Sequence, residues 1–327
     1  MLAACHVAPN RLELREIPPP DLAEGEVLIQ VRACAFCGSD KHDLVHAPSE
    51  PRVPGHEFAG VVEEVQGEAQ VAAGDRVVVD PIMRCGECDY CREGRDHLCR
   101  SMAVIGCQTA GGFAELVKAP IRNLHPKPDG LSFEAATLAD PLAVALHALE
   151  LAPPATGQRC LVLGAGTIGL LVGQALALQG AGEVWLADIE ESHLELARRL
   201  SRFETVNLAT QSPDALPTEC DLAVELAGGT APTLGLAIAS LRKGGVALCV
   251  AQRPPCDIPY PALLFRELRL QGVFGQRSPN FAEAIRLLGA GEIDGEPLIT
   301  DRFPLAQVQE AFERFLEPPS VKVVVCP

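Results

Sequence analysis

The chain has few basic residues for its size: 27 Lys and Arg stand against 43 Asp and Glu in 327 residues, a formal net charge of −16. A nucleic-acid surface needs clustered cations to neutralise phosphates, and an anionic membrane surface needs the same, so neither partner is expected. The opening run MLAACHVAPNRLELRE lacks a basic segment followed by an apolar core, so no signal peptide is expected. There is no internal repeat and no low-complexity tail. One apolar stretch, Leu161 to Gly182, is long enough to suggest a membrane span. Its glycines and the charges just outside it fit a buried strand, a turn and a buried helix instead. The thirteen cysteines are an odd number, and Cys160 (RCLVLG) and Cys249 (VALCVA) lie inside apolar strand-like runs. That pattern fits a reducing compartment, the cytoplasm, better than a secreted disulfide framework. The length suffices for two domains with ample cores.

Four cysteines do cluster: Cys85, Cys88, Cys91 and Cys99 in CGECDYCREGRDHLC, spaced C-x2-C-x2-C-x7-C. Each two-residue gap lets a tight turn aim two thiolates at one point, and the fourth closes a tetrahedron. Four soft ligands with no open position suit a structural Zn²⁺. A C-x2-C-x2-C run also suits an iron–sulfur cluster, which would make the protein an electron carrier. A small lobe folded around zinc, at residues 84–100, is rarely the catalytic part, so chemistry is sought elsewhere.

The first half of the chain reads as short strands separated by Gly, Pro and Asp: EVLIQVRACAF, EFAGVVEEV and DRVVVDPI. Leu131 to Leu151 is Ala/Leu-rich and helical, and Pro153 and Pro154 mark a boundary. Beyond it strand and helix alternate. Arg159 to Leu163, Glu183 to Ala187, Asp221 to Leu226 and Val246 to Ala251 read as strands, with helices at Thr167 to Gln179 and Glu191 to Leu200 and a further helix before the last strand. Alternation of this kind implies a doubly wound parallel sheet covered on both faces, an α/β fold. Near Gly275 it stops. A helix (Phe281 to Leu288) and a closing strand (Val321 to Val325) suggest that the chain returns to its first domain.

The run LVLGAGTIG places Gly164, Gly166 and Gly169 as G-x-G-x-x-G, with Thr167 and Ile168 between them. The match alone is weak, but an apolar strand precedes it, a helix follows, and a second strand, EVWLAD, ends in Asp188 about 20 residues on. The first glycine permits the tight turn, the second lets backbone N–H groups approach a pyrophosphate, and the third lets helix pack on strand. The helix N-terminus then faces the phosphates. Asp188 would accept from a ribose, its charge would repel a 2′-phosphate, and Glu190 and Glu191 add to it. The expected cofactor is NAD rather than NADP.

Cys37 lies in CAFCGSDKH, and nineteen residues later PGHEFAGVV carries His56 and Glu57. Alone each is unremarkable: a buried Cys is usually a small hydrophobe, and a His beside a Glu is usually a hydrogen-bonded pair. Together, with a nicotinamide site in the same chain, they suggest a catalytic zinc, because thiolate, imidazole and carboxylate ligation with one open position is what a Lewis-acid metal needs.

CGSDKH, GHEFAGVV, GDRVVV, the four-cysteine lobe, GAGTIG and the closing strand, in that order, resemble the zinc-dependent medium-chain dehydrogenases, and most of all the sorbitol-type polyol and threonine dehydrogenases. The resemblance covers essentially the whole chain. It implies a GroES-like β-rich catalytic domain built from residues 1–152 and 276–327, with a Rossmann domain at 153–275. It implies two zinc ions per chain and NAD. Cys37, His56 and Glu57 match the catalytic zinc ligands. Asp140, in LADPLAVALHAL, falls where the polyol group has Glu, and would bind zinc directly or through water. Ser39 matches the hydroxyl that touches the substrate alcohol, His42 the outer end of a proton relay, and Asp40 the carboxylate that orients the zinc histidine. His193 occupies a position where the family commonly has a basic residue. Relatives form dimers or tetramers, so a homodimer or homotetramer is implied.

The chemistry implied is hydride transfer from a small-molecule alcohol, with polyols, sugar derivatives and L-threonine as candidate substrates; Gln276 and Arg277 are candidates for a carboxylate pocket. The rival reading of a different kind is a non-catalytic NAD(H)-binding sensor. It leaves Cys37, His56, Glu57, Ser39 and His42 without a purpose. His147 reads as a core histidine, and Trp185 as core beneath the second Rossmann strand.

Overall fold

The computed structural model of the chain describes every residue except 69, 202 and 253. It divides into two compact units. Met1–Asp140, Arg277–Gly291 and Gly295–Pro327 form one; Pro141–Gln276 and Glu292–Asp294 form the other. In chain order the first runs through β1 (Leu2–Ala8), β2 (Arg11–Glu16), β3 (Glu26–Ala35), α1 (Asp40–Asp43), β4 (Glu57–Gln66), β5 (Arg76–Val79), β6 (Ile82–Met83), α2 (Asp89–Arg92), β7 (Ala103–Val104), β8 (Leu116–Pro120), β9 (Leu124–Pro126) and α3 (Phe133–Ala136). After α4 (Ala139–Leu151) come β10 (Arg159–Leu163), α5 (Thr167–Leu178), β11 (Glu183–Asp188), α6 (Glu191–Leu200), β12 (Glu204–Asn207), β13 (Cys220–Glu225), α7 (Thr233–Ser240), β14 (Leu241–Cys249), α8 (Tyr260–Phe265) and β15 (Arg269–Gly272). The chain then closes with α9 (Ser278–Gly289), β16 (Ile299–Pro304), α10 (Val308–Leu316) and β17 (Lys322–Cys326).

In the β-rich unit the sheet order is β16-β17-β3-β4-β5-β9, with β8 also on β3. β3 is the organising strand. One edge pairs with β4 from Glu26 to Ala35, and the other is shared by β8 and, at Cys34 and Ala35, by β17. Its run EVLIQVRACA is therefore buried along most of its length. Phe36, Phe58, Phe113, Phe312 and Phe315 fill the core, and Phe36 stacks on Phe315 at 5.3 Å between ring centroids. Register matters here: Ala35 lies opposite Glu57 on β4 and opposite Val324 on β17. The residues just beyond, Cys37, His56 and Lys322, are thereby drawn towards one place.

The other unit is a six-stranded parallel sheet, order β12-β11-β10-β13-β14-β15, which makes the fold α/β. The order reverses at β10, whose Cys160 to Leu163 are wholly buried, as strands covered on both faces are. β12 and β15 were not legible in the sequence: ETVN and RLQG are short and half polar, and only pairing with β11 and β14 makes them strands. The helical stretch from Leu131 is two helices, broken at Thr137 and Leu138. Pro141, which lacks an N–H, then falls in the first turn of α4, where no donor is needed. Trp185 is half-buried and its indole N–H reaches Glu183, whereas His147 is buried. Leu161 to Gly182 folds as strand, glycine turn and helix, and among the described residues no helix is long and apolar enough to cross a membrane.

Candidate active site and metal centres

The thiol of Cys37, the ring of His56 and the carboxylate of Glu57 offer ligand atoms that all lie within 4.8 Å of one another. His56 and Glu57 are 7% and 1% exposed. One carboxylate oxygen of Glu57 accepts from Lys322 Nζ at 2.6 Å; the other, Oε1, is buried without a hydrogen-bond partner among the described residues. A buried, unpaired carboxylate oxygen beside a thiol and an imidazole is what a cation site requires. Burial pushes the Cys37 thiol up, with the Glu57 charge adding to it. Burial also raises Glu57 against the pull of Lys322. Burial acts to lower His56, but Cys37, Cys107 and Asp40 outweigh it and hold the ring well above its ordinary value. A divalent cation among these groups reverses the cost of burying their anionic forms.

Two surrounding residues escaped the sequence reading. Lys322, 2% exposed, also donates to the Phe36 carbonyl at 3.0 Å. Its signal was available: a lysine in the apolar run VKVVV is rarely buried unless paired. Cys107 lies 4.0 Å from His56 Nδ1, and nothing in its local pattern marks it. Asp140 is buried but does not join the group; its short side chain, at the start of α4, stays outside the 4.8 Å that holds the other three, and acts on Lys322 through charge. Asp40 does not hydrogen-bond the His56 ring. Its Oδ2 accepts from the Cys37 backbone N–H at 2.8 Å, so it braces the loop carrying the thiol and reaches His56 only as a nearby charge. Ser39, which precedes α1, and His42 within it are exposed, and the Ser39 carbonyl accepts from His42 N–H.

Cys85, Cys88, Cys91 and Cys99 likewise converge within 4.8 Å. Cys85 Sγ lies 3.9 Å from Cys91 Sγ and 3.5 Å from Cys99 Sγ. A tetrahedron with Zn–S bonds of about 2.3 Å has edges of about 3.8 Å, so the spacing fits the ion. Backbone N–H groups of Cys85 and Cys88 point at the sulfurs of Cys99 and Cys85. Donors from the Arg100 and Cys91 backbone bring Cys88 down to about 6, whereas burial leaves Cys91 pushed up to about 12. The donor set is that of a closed, structural site.

In the parallel unit, Gly164 to Gly169 form the turn from β10 into α5, which begins at Thr167 and runs on through Ile168. A Cβ on Gly169 would sit 1.9 Å from the Gly164 carbonyl oxygen, so helix and loop touch there. A Cβ on Gly166 would meet nothing within 4 Å, which leaves the backbone open to an approaching phosphate at the helix N-terminus. Asp188 closes β11. Its carboxylate accepts from the N–H groups of Ala165, Ile189 and Glu190 at 2.6, 2.7 and 3.0 Å, and His193 Nδ1 lies 3.5 Å away. Burial acts to raise Asp188, but His193 and these amides hold it below the usual carboxylate range. Glu191 is paired with Arg198, so its charge is partly spent.

Residues 23–129 match the family described as Alcohol dehydrogenase GroES-like domain, and residues 167–290 match Zinc-binding dehydrogenase. The chain is 32% identical to sorbitol dehydrogenase of Bacillus subtilis over 97% of its own length and 94% of that protein. It belongs to the zinc-dependent medium-chain dehydrogenases. L-threonine 3-dehydrogenase of Yersinia pestis is 31% identical, over 95% of each chain. Among solved structures, a zinc-binding dehydrogenase from Sinorhizobium meliloti bound to NADP superposes with a TM-score of 0.93 at 30% identity, covering 100% of this chain and 99% of that one. The medium-chain dehydrogenase architecture, a GroES-like unit with a dinucleotide-type sheet, is thus the architecture of this protein.

Proposed function

We propose that the protein is an NAD-dependent dehydrogenase of secondary alcohols, acting on polyols, sugar alcohols or sugar derivatives. The observation that carries the reading is the convergence of Cys37, His56 and Glu57, with a buried Glu57 oxygen left unbonded among the described residues, in a chain that also builds a glycine turn between β10 and α5. Cys37, His56 and Glu57 would hold a catalytic zinc, and Cys85, Cys88, Cys91 and Cys99 a structural one, two per chain. A bound zinc supplies Lewis acidity toward an alcohol oxygen, and a bound nicotinamide supplies the hydride acceptor. The chain's own part is to hold these groups. Asp40 fixes the Cys37 loop through its backbone, and Lys322 holds Glu57 by one oxygen while leaving the other free. Ser39 would relay the proton lost by the substrate hydroxyl, giving up its own as it accepts, toward His42, exposed three residues on, which would pass it to water.

Gly164, Gly166, Thr167, Ile168 and Gly169 would receive the pyrophosphate and Asp188 the adenosine ribose; the Asp188 charge supports NAD over NADP. The relatives named for sorbitol and for L-threonine set the panel. Purified, zinc-replete protein is assayed for NADH formation on polyols, sugar alcohols, amino sugars, L-threonine and simple secondary alcohols. Turnover of a polyol is the expected result; turnover of L-threonine alone would overturn the substrate class. NAD binding with no turnover on any of them would favour the sensor reading.

Thirteen cysteines, none of them in a disulfide, support a reducing compartment, the cytoplasm. A homodimer or homotetramer is supported by exposed Tyr260, Leu264, Phe265 and Phe274 beside the edge strand β15, an apolar patch of the kind that partners cover. Sedimentation equilibrium tests it, and a monomer at micromolar concentration would overturn it.

A further inference from the structure

The four-thiolate lobe is tied to α9 by a contact that the proposed reaction does not use. Asp96 lies between Cys91 and Cys99, and its peptide carbonyl accepts from Cys99 N–H at 3.1 Å. One oxygen of its carboxylate, Oδ2, gathers three contacts. Two hydrogen bonds come from Ser278 Oγ at 2.6 Å and Ser278 N–H at 3.2 Å, and the third is an ion pair with Arg84, whose Nε lies 3.1 Å away. Arg84, which immediately precedes Cys85, is held in turn by Asp80 Oδ2 at 2.6 Å and by the Ile82 carbonyl at 2.9 Å. The side chains of Arg84, Asp80 and Asp96 are only 9%, 3% and 16% exposed. Arg277 adds a second strut, donating to the Gly94 carbonyl at 3.3 Å.

Two consequences follow from where these residues stand. Arg84 adjoins the first thiolate and Asp96 precedes the last by three, so one buried ion pair sets the distance between the two ends of the cysteine run. Ser278 opens α9, and a carboxylate there accepts an otherwise unpaired helix N–H and faces the positive end of the helix dipole, though 182 residues separate the partners.

We propose that Asp96 and Ser278 are positioning residues of the four-thiolate metal site: α9 holds Asp96, Asp96 holds the turn that presents Cys99, and the metal and α9 therefore stabilise each other. The proposal rests on reading Cys85, Cys88, Cys91 and Cys99 as a metal site. Coupling of this kind is reciprocal, so what weakens the contact loosens the metal, and removing the metal loosens the start of α9.

The test uses the full chain loaded with zinc, and with cobalt for its thiolate absorption, and follows transfer of metal to a chromophoric chelator. Cys85→Ser supplies the baseline for metal held elsewhere. Loss of Ser278 Oγ in Ser278→Ala is expected to speed release from the lobe by about tenfold, the lower end of the effect of outer partners on metal affinity. Asp96→Asn is expected to exceed it, and Ser278→Thr to restore the slow rate. The cobalt–thiolate band should keep its position, because the four ligands are untouched. Glu283→Ala, which breaks the exposed ion pair with Arg286 on α9, controls for general loosening of the helix and should leave release unchanged. Hydrogen exchange should show the first turn of α9 losing protection when the lobe metal is removed. Wild-type release rates in both Ser278→Ala and Asp96→Asn, equal acceleration by Glu283→Ala, or α9 protection indifferent to the metal would each overturn the coupling. If Cys85→Ser binds as much metal as the wild type, the four-thiolate reading itself falls, a result distinct from the others.

Discussion

Lys322 governs how Glu57 is presented. Buried at 2% exposure, it neutralises one carboxylate oxygen and leaves the other for a cation. Removing one partner of a buried pair strands the other, so Lys322→Met is expected to lower unfolding free energy by about 3–5 kcal/mol in urea titration. A change within experimental error would mean that Glu57 does not need its partner. Asp188 is held below the usual carboxylate range by His193 and by backbone amides, against the opposing effect of burial. Its folded value is thus lower than the unfolded one, about 3.9. The stability it contributes is present above that unfolded value and is lost as pH falls through the folded one. Asp188→Asn should therefore flatten the acid side of the stability–pH curve, read by denaturant midpoints at successive pH values. The same variant should shift the NADP-to-NAD affinity ratio upward by about tenfold or more, about 1.4 kcal/mol, in direct binding titrations. An unchanged ratio would remove Asp188 from cofactor choice.

At the scale of elements, the turn from β10 to α5 and the cysteine lobe depend on different forces. The turn rests on close packing: with 1.9 Å between a Cβ on Gly169 and the Gly164 oxygen, Gly169→Ala must push the helix from the loop that follows β10. Overpacking of this kind costs about 1–3 kcal/mol, so a lower melting temperature and weakened NAD binding are expected together. The lobe has little apolar core of its own and rests on its metal, for which apparent binding energies of about 10–16 kcal/mol are usual in structural zinc sites. Chelation should therefore unfold residues 85–99 locally, seen as loss of amide protection there while the parallel sheet stays protected. The strands β12 and β15 show the limit of pattern reading at this scale. Neither ETVN nor RLQG carries a period, and both are strands because a neighbour offers hydrogen bonds.

Taken whole, the molecule places its two kinds of chemistry on separate compact units: the thiolate, imidazole and carboxylate group on one, the glycine turn and Asp188 on the other. Changes at independent sites usually add to within about 0.5 kcal/mol. Cys37→Ser should then abolish alcohol oxidation while NAD binds with near-normal affinity in fluorescence titration. Loss of NAD binding in that variant would show that the metal group supports the dinucleotide turn as well.

Local chemistry was legible along the chain. Thiol spacing, the glycine pattern and the strand–helix alternation are short-range, and each follows from what a few neighbouring residues must do with a metal, a phosphate or a hydrophobic face. By itself the sequence determined the α/β fold, both clusters of candidate ligands and the glycine turn from β10 into α5. What only the tertiary structure decided is pairwise and long-range. The register of β3 with β4 and β17 brings Lys322 to Glu57 across 265 residues. The loop after β7 sets Cys107 against His56, Asp40 turns to the Cys37 backbone, and Asp140 stays outside the group. No local pattern encodes such contacts, because they depend on how separately folded strands and helices meet, and buried charge then leaves each side chain only the partner that the packing puts within reach.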